Sequence, residues 1–205
     1  MSELKRDATH GLIVVSAPSG TGKSTLCAQL LSALPERVAL SISTTSRNPR
    51  GTEAHGKEYF FLNATDFQKK INGNEFAEWA LVHGNYYGTQ KQMLQDFWNA
   101  KKHVLLDIDV QGAESLRDEY PLRCFTIFIA PPSIEELERR LRGRGTESEE
   151  AILKRMANAT NELKRQNEFD LILVNDDLSE TYRKLNLAVT QFMDELEGGL
   201  WRKRP

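Results

Sequence analysis

The amino-acid sequence predicts an α/β fold in which a parallel β-sheet is covered by helices on both faces. Short apolar segments have the length of buried strands, and helical patterns lie between most of them; the segments are residues 12–15, 38–42, 103–108, 125–129 and 171–174. Alternation of such strands with helices is typical of a parallel sheet that is buried on both sides. The chain has 205 residues, which is enough for one ample core with a mobile insertion.

Composition and charge argue against several classes of protein. The net charge of −2 at pH 7 gives no sign of a general nucleic-acid-binding protein. No apolar run approaches the length of a membrane span, and the polar residues 1–10 do not have the pattern of a signal peptide. The two cysteines, Cys27 and Cys124, lie in apolar surroundings that are typical of buried free thiols. We therefore expect a cytoplasmic protein without a disulfide framework.

The segment Ala17-Pro-Ser-Gly-Thr-Gly-Lys-Ser24 follows the first predicted strand and precedes a helical pattern. It has the spacing of a phosphate-binding P-loop, in which small residues let backbone N–H groups converge on phosphate oxygens. Lys23 adds charge, and the hydroxyl group of Ser24 suits Mg²⁺. The first position of such a loop is usually glycine; Ala17 is compatible with it if its backbone φ is not positive. An ordinary glycine-rich turn is the alternative interpretation.

Residues 43–95 break the rhythm of strands and helices, and we expect them to form a small lobe inserted into the sheet. Ligands of open parallel sheets bind beyond the carboxyl ends of the strands, so a lobe that emerges there would cover the site. The segment Ser41-Ile-Ser-Thr-Thr-Ser-Arg-Asn-Pro-Arg50 carries two arginines and several hydroxyl groups, and Tyr59 follows it. This composition indicates a second anion site, separate from the P-loop.

Glu78 belongs to a predicted strand that begins at Phe76. Strict alternation would place Phe76, Glu78 and Ala80 on one face, and Ala77 and Trp79 on the other. A carboxylate among apolar neighbours is costly to bury without donors. Guanine offers N1–H and N2–H on one edge, a match for a carboxylate, whereas adenine has no N1–H there. An exposed strand carboxylate is the alternative interpretation.

A second unusual segment is Arg139-Arg-Leu-Arg-Gly-Arg-Gly145. It joins two helical patterns, and Thr146 and Glu149 form a capping-box pattern for the second helix. Two helices joined by a turn rich in arginine and glycine indicate a hinged flap whose guanidinium groups meet phosphates. A solvated basic turn is the alternative interpretation.

Eight segments of the chain resemble the guanylate kinase family and occur in the family's order. They are Ala17-Pro-Ser-Gly-Thr-Gly-Lys-Ser-Thr25, residues 43–50, Gly56-Lys-Glu-Tyr59, Glu75-Phe-Ala-Glu-Trp79, Gly84-Asn-Tyr-Tyr-Gly88, Leu106-Asp-Ile-Asp-Val-Gln-Gly112, Arg142-Gly-Arg-Gly-Thr146 and Val174-Asn-Asp176. The resemblance covers roughly residues 10–190. The ordered set is highly specific because it includes a donor site, an acceptor site and a flap together.

The resemblance implies a role for each matching residue. The ATP phosphates would be held by the P-loop, which consists of Ala17, Pro18, Ser19, Gly20, Thr21, Gly22, Lys23, Ser24 and Thr25, with Ser24 near Mg²⁺. The GMP phosphate would be bound by Ser43, Arg47, Arg50, Tyr59 and Tyr87. Guanine would be read by Glu78 and Thr89, with Asp109 assisting. The transferring phosphoryl group would be covered by the catalytic arginines Arg140, Arg144 and Arg155. The adenine of ATP would lie near Asn175.

The resemblance also implies a P-loop NTPase-like fold with an inserted nucleotide-monophosphate-binding lobe and an arginine-rich lid. The expected core comprises residues 10–40, 96–138 and 166–196, the GMP-binding lobe residues 41–95, and the lid residues 139–165. The implied reaction is phosphorylation of GMP, and of dGMP, by MgATP in purine nucleotide metabolism and GMP recycling. The implied partners are ATP and GMP, without nucleic acid or membrane, and the oligomeric state stays open.

Two alternatives remain at this point. The first is a guanylate-kinase-like interaction module without catalysis, and the intact Lys23 and Ser24 argue against it. The second is a P-loop kinase with another acceptor, such as a different nucleotide or a sugar phosphate. Glu78, Tyr87 and Thr89 together argue against that second alternative.

Overall fold

The computed structural model describes residues 9–82, 84–143 and 148–202. Within these ranges the chain forms two β-sheets and the helices that cover them. The elements, in chain order, are β1 Leu12–Ser16, α1 Lys23–Ala33, β2 Val38–Leu40, β3 Thr44–Thr45, β4 Phe60–Phe61, α2 Ala64–Asn72, β5 Phe76–Val82, β6 Asn85–Gln90, α3 Lys91–Asn99, β7 His103–Asp107, α4 Val110–Glu119, β8 Cys124–Ala130, α5 Ile134–Arg142, α6 Glu149–Lys164, β9 Leu171–Val174 and α7 Leu178–Glu197.

The larger sheet has five parallel strands in the order β2-β7-β1-β8-β9, which confirms the predicted parallel sheet. Strand β1 is central, and all of its residues are buried. After β1 the chain adds β2 and β7 on one side, and then β8 and β9 on the other. The carboxyl end of β1 is therefore the point at which the strand order reverses, where open parallel sheets bind their ligands.

Alternate residues of β1 face two apolar layers. Ile13 and Val15 belong to a cluster with the buried residues of α1 and α7, and Leu12 and Val14 to a cluster with those of α3 and α4. The sheet is thus covered on both faces, as the sequence predicts. Cys27 and Cys124 lie buried in these layers, and neither belongs to a disulfide bond. In the described part of the chain, no helix is long and apolar enough to cross a membrane.

The smaller sheet has the order β4-β3-β6-β5. Helix α2 packs on it through Phe67, whose ring stacks on Phe76 at a centroid distance of 4.4 Å. Phe76 pairs with Gln90 and Glu78 with Thr89, so Ala77 is an extra residue in β5 and forms a β-bulge. The bulge directs Glu78 away from Phe67 and toward α4. The prediction that Phe76 and Glu78 share a face was wrong, because one inserted residue shifts the alternation.

Helices α5 and α6, which contain the predicted lid residues 139–142 and 149–164, pack together through buried Leu137, Leu141 and Ala159. Helix α6 begins after Ser148, whose side chain accepts a hydrogen bond from the backbone N–H of Ala151. The predicted capping box was therefore misplaced: Glu149 is the first residue of the helix. Its predicted partner, Thr146, lies outside the described residues.

Candidate active site

A cavity of about 540 Å³ lies at the carboxyl end of β1. It is lined by the entire loop 17–22, by the first turn of α1, and by residues from three other parts of the chain. The latter are residues between β2 and β4, namely Leu40 at the end of β2 with Ser41, Ser43, Glu58 and Tyr59 after it, then Asp107 at the end of β7, and Glu162 of α6. The predicted P-loop and two predicted acceptor residues thus open into the same space.

The backbone of the loop has the conformation that its glycines allow. Gly20 and Gly22 have φ values of 95° and 90°, a region that other residues rarely adopt. Ala17 is not among the positive-φ residues, so the condition under which alanine suits this position is met. Helix α1 begins at Lys23, which leaves the N–H groups of its first turn available to an anion.

The loop also packs against helices α5 and α6. A Cβ atom at Gly20 would lie 3.0 Å from Cδ2 of Leu141 and 3.3 Å from Cδ1 of Leu137, both on α5. Arg155 of α6 donates a hydrogen bond from Nη1 to Oγ of Ser19 at 2.6 Å. Helices α5 and α6 therefore both contact the phosphate loop directly.

Lys23 forms an ion pair with Asp107. Burial alone would lower the pKa of Lys23, but the charge and hydrogen bond of Asp107 outweigh it and the pKa is raised. Lys23 is therefore a permanent positive charge on the wall of the cavity. Asp107 was not among the residues predicted for the site. Its signal was present in the sequence as a carboxylate that directly follows a buried strand.

Asn175 lies beneath the loop. It is 4% exposed, and its Nδ2 donates to the carbonyl of Thr21 at 2.6 Å. The backbone carbonyl of Asn175 accepts a hydrogen bond from Nη1 of Arg140 at 3.0 Å, which brings this predicted lid arginine to the edge of the loop. Arg144, the third predicted lid arginine, lies outside the described residues.

Glu162 faces Lys23 from α6, and it was not predicted to belong to the site. Burial raises its pKa to about 7, although Lys23 opposes the rise. Sequence periodicity places this residue only on a helix. Its position in the cavity depends on how α6 packs, for which the sequence carries no local signal.

The predicted acceptor residues meet behind Tyr59. The guanidinium carbon of Arg47 lies 5.3 Å from the centroid of the Tyr59 ring, and Nε of Arg47 donates to the hydroxyl of Tyr87 at 3.3 Å. The two tyrosine rings are 5.9 Å apart in an edge-to-face arrangement. Arg50 is exposed. Ser43 and Tyr59 line the cavity itself.

The three residues predicted to read a base also meet. Glu78 is 5% exposed and accepts a hydrogen bond from Oγ1 of Thr89 at 2.7 Å. Burial raises the pKa of Glu78 to about 7; the bond from Thr89 lowers it, and the charge of Asp109 raises it. Asp109 caps α4 by accepting from the backbone N–H of Gly112 at 2.8 Å. The structure thus holds Glu78 and Thr89 at the first turn of α4.

A central strand, a phosphate loop and a helix at the reversal point of a parallel sheet define a P-loop NTPase-like α/β protein. The family model described as guanylate kinase matches residues 9–192. The chain belongs to the guanylate kinase family.

Relatives agree with this assignment. The chain is 50% identical over 169 residues to guanylate kinase of Prochlorococcus marinus, covering 82% of this chain and 91% of that protein. It is 45% identical over 183 residues to guanylate kinase of Porphyromonas gingivalis, covering 89% of this chain and 97% of that protein. The crystal structure of guanylate kinase from Anaplasma phagocytophilum superimposes with a TM-score of 0.73 at 30% identity, over 93% of this chain and 90% of that one.

Proposed function

We propose that the protein transfers the terminal phosphoryl group of ATP to GMP, and also to dGMP, and thereby forms the diphosphate for purine nucleotide metabolism and GMP recycling. The observation that carries the proposal is the shared cavity, which Lys23 of the P-loop lines together with Ser43 and Tyr59. Direct transfer between two nucleotides requires a donor and an acceptor phosphate in one enclosed space. Family membership supports ATP as the donor and GMP as the acceptor.

The donor phosphates would lie at the N-terminus of α1, on the backbone N–H groups of the loop and beside Lys23. Asn175 would lie near the adenine. Its Oδ1 is buried without a hydrogen-bond partner among the described residues, so an acceptor is available there. Arg140 and Arg155 approach the loop from the lid, and with Arg144 they would neutralise charge on the phosphoryl group during transfer.

Mg²⁺ would bind with ATP near Ser24. The hydroxyl of Ser24 and the carboxylate of Asp107 line the same cavity, and such hard oxygen donors suit this ion. When bound, the ion supplies charge neutralisation to the phosphates. The protein's own contribution is the placement of these oxygens opposite Lys23.

The acceptor would bind with its phosphate at Ser43, Arg47, Arg50, Tyr59 and Tyr87. Guanine would present N1–H and N2–H to Glu78, with Thr89 also reading the base and Asp109 assisting. The acceptor phosphate ionises near neutral pH, so it can attack without a strong general base. The work of the protein is to align the two phosphates and to exclude water.

The predicted division into core, GMP-binding lobe and lid stays a prediction, as do a cytoplasmic location and the absence of nucleic-acid and membrane partners. The lobe would comprise residues 41–95 and the lid residues 139–165. Closure of both over the core would bring the acceptor to the donor.

An ADP-release assay with GMP, dGMP, AMP, UMP and CMP tests the proposal. We expect turnover with GMP and dGMP and at least a hundredfold lower kcat/KM for the other three, since a buried carboxylate left unpaired opposes them. Turnover with AMP at the GMP rate would contradict the base assignment. No turnover with any acceptor would favour the interaction module without catalysis.

A further inference from the structure

Glu53 lies in the connection between β3 and β4, and none of the roles considered so far includes it. Its carboxylate grips Arg47 with both oxygens: Oε2 accepts from Nη1 at 2.9 Å, and Oε1 accepts from Nη2 at 3.0 Å. The side chain of Arg47 is only 9% exposed and that of Glu53 is 23% exposed. The pair is therefore largely shielded from solvent, unlike an ordinary surface salt bridge.

The same carboxylate also holds the backbone of Arg50. Oε2 of Glu53 accepts a hydrogen bond from the N–H of Arg50 at 2.8 Å, and the N–H of Glu53 donates to the carbonyl of Arg50 at 3.0 Å. Gly51, between them, has a φ of 53°, which permits this tight reversal of the chain. One side chain thus fixes both arginines that are assigned to the acceptor phosphate.

Most N–H groups of the Arg47 side chain already donate hydrogen bonds within the protein. A guanidinium group has five N–H donors. Within the described residues, two go to Glu53, one to the carbonyl of Asn48 and one to the hydroxyl of Tyr87. A single N–H of Nη2 remains for a phosphate. Arg47 therefore serves mainly as a fixed support for its neighbours. Its guanidinium carbon lies 5.3 Å from the ring centroid of Tyr59.

We propose that Glu53 is a positioning residue of the acceptor-phosphate site, a role that rests on the proposed phosphorylation of GMP. It holds the fork of Arg47 beneath Tyr59 and against Tyr87, and it sets the backbone from which Arg50 extends. The phosphate then meets hydroxyl groups that are already in place and an arginine whose backbone is already fixed, so that less ordering is required when GMP binds.

A competing role for Glu53 is that its carboxylate occupies the place of the GMP phosphate. A carboxylate that merely occupied the place of the phosphate would have to leave Arg47 when GMP binds, and its removal would strengthen GMP binding. Two observations favour positioning. Arg47 does not line the cavity, whereas Tyr59, which it supports, does. The bond from Glu53 to the backbone of Arg50 also has no part in competition for a guanidinium group.

The test is the variant Glu53→Gln, which keeps the shape of the side chain but turns one acceptor into a donor facing Arg47. We expect the KM for GMP to rise about tenfold while the KM for ATP stays within about twofold, since only the acceptor site loses its support. Calorimetric titration of the enzyme with GMP alone should show the same loss of affinity. Glu53→Asp, which keeps the charge on a shorter side chain, should lie between the wild type and Glu53→Gln.

Glu180→Gln is the matched control. Glu180 grips Arg183 with both oxygens on the exposed surface of α7, at 2.9 Å for each bond. This variant should leave both KM values unchanged. Thermal unfolding of all variants reports their fold, and Glu53→Asp supplies the comparison if Glu53→Gln does not fold.

Three outcomes would overturn the proposal. A lower KM for GMP would assign Glu53 as a competitor of the phosphate. Equal increases in both KM values would indicate a general structural role, and unchanged values would exclude a role in the site. Failure of the proposed function is a separate result, because wild-type enzyme that neither binds nor phosphorylates GMP would reveal it before any variant is compared.

Discussion

Glu78 of the smaller sheet lies directly against Gly112 in the first turn of α4, so closely that a Cβ atom at position 112 would come within 2.7 Å of Oε2 of Glu78. Gly112 belongs to a helix that covers the larger sheet, so this contact joins the two parts of the molecule. The small size of glycine, and not an unusual backbone angle, is what position 112 requires. The contact explains how a carboxylate on an inserted strand is held beside Asp109.

Gly112→Ala should therefore damage the acceptor site selectively. Alanine favours the helix, but its methyl group forces Glu78 to move, and we expect the KM for GMP to rise about tenfold. The KM for ATP should change little. Steady-state kinetics with each substrate varied in turn checks this. Gly198→Ala at the end of α7 is the control, and a similar effect there would contradict the explanation.

Glu78→Gln should remove a pH-dependent cost of folding. Folding raises the pKa of Glu78 from 4.5 to about 7, mainly through burial. Between these values the folded state binds more protons than the unfolded state, so the contribution of Glu78 to stability falls as pH rises through this window. We expect Glu78→Gln to raise the free energy of unfolding at pH 8 by about 2 kcal/mol and to change it little at pH 4.5. Urea unfolding at both pH values measures the difference; a difference independent of pH would contradict it.

Glu78→Gln should also lose affinity for GMP. Glutamine presents an N–H group where guanine needs an acceptor, so Glu78→Gln should weaken GMP binding by about a hundredfold and ATP binding hardly at all. Calorimetric titration with each nucleotide separates the two affinities. Equal losses would refute the role of Glu78 in reading guanine.

Lys23→Ala should abolish turnover while the fold persists. The ammonium group is the charge that the P-loop aims at the phosphates, and its loss should lower kcat at least a thousandfold. Asp107 keeps access to solvent, with 32% of its side chain exposed, so the circular dichroism spectrum and cooperative unfolding should be retained. Lys184→Ala on the surface of α7 is the control. An unchanged kcat in Lys23→Ala would contradict the P-loop assignment.

Protonation of His103 should lower the stability of the folded protein at acidic pH. Its Nδ1 accepts the backbone N–H of Gly11 at 3.2 Å, so Nε2 carries the proton and donates to Glu197 at 2.9 Å. Burial lowers the pKa of His103 below 6.5, although Glu197 opposes the shift. The unfolded chain therefore takes up the proton first, and stability is lost as pH falls below about 6.5. Between pH 7 and 5 the wild type should lose more stability than His103→Gln. A parallel loss in both would contradict this account.

Zinc should not stabilise the protein by binding to His103 and its neighbours. Ligand atoms of His10, His103 and Glu197 lie within 4.8 Å of one another, an arrangement that the spacing of the histidines in the sequence does not indicate. The bond from Gly11 fixes the tautomer of His103 in which Nε2 is a donor, and a metal ligand must be an acceptor. Thermal unfolding with and without zinc should therefore give the same Tm, and a zinc-dependent increase would show that the tautomer changes.

The predicted strands were largely correct because buried parallel strands are continuous apolar runs, and residues 171–174 coincide with β9. The predicted orientation of Glu78 was wrong because pairing with β6 produces a bulge at Ala77, and no local sequence pattern indicates that bulge. Asp109 was assigned through the family resemblance, whereas Asp107 was overlooked although it ends a buried strand. Glu53 is placed by hydrogen bonds to Arg47 and Arg50 within its own loop, whereas Glu162 reaches the cavity only through the packing of α6.

The contact of Gly20 with Leu137 and Leu141 has a mechanical consequence. Helix α5 is not a loose cover over the phosphate loop, because its residues Leu137 and Leu141 already pack against that loop. Any displacement of the loop backbone on binding a phosphate changes the surface on which α5 rests. A phosphate that displaces the loop would therefore also displace the residues of α5 that pack against it, through direct contact.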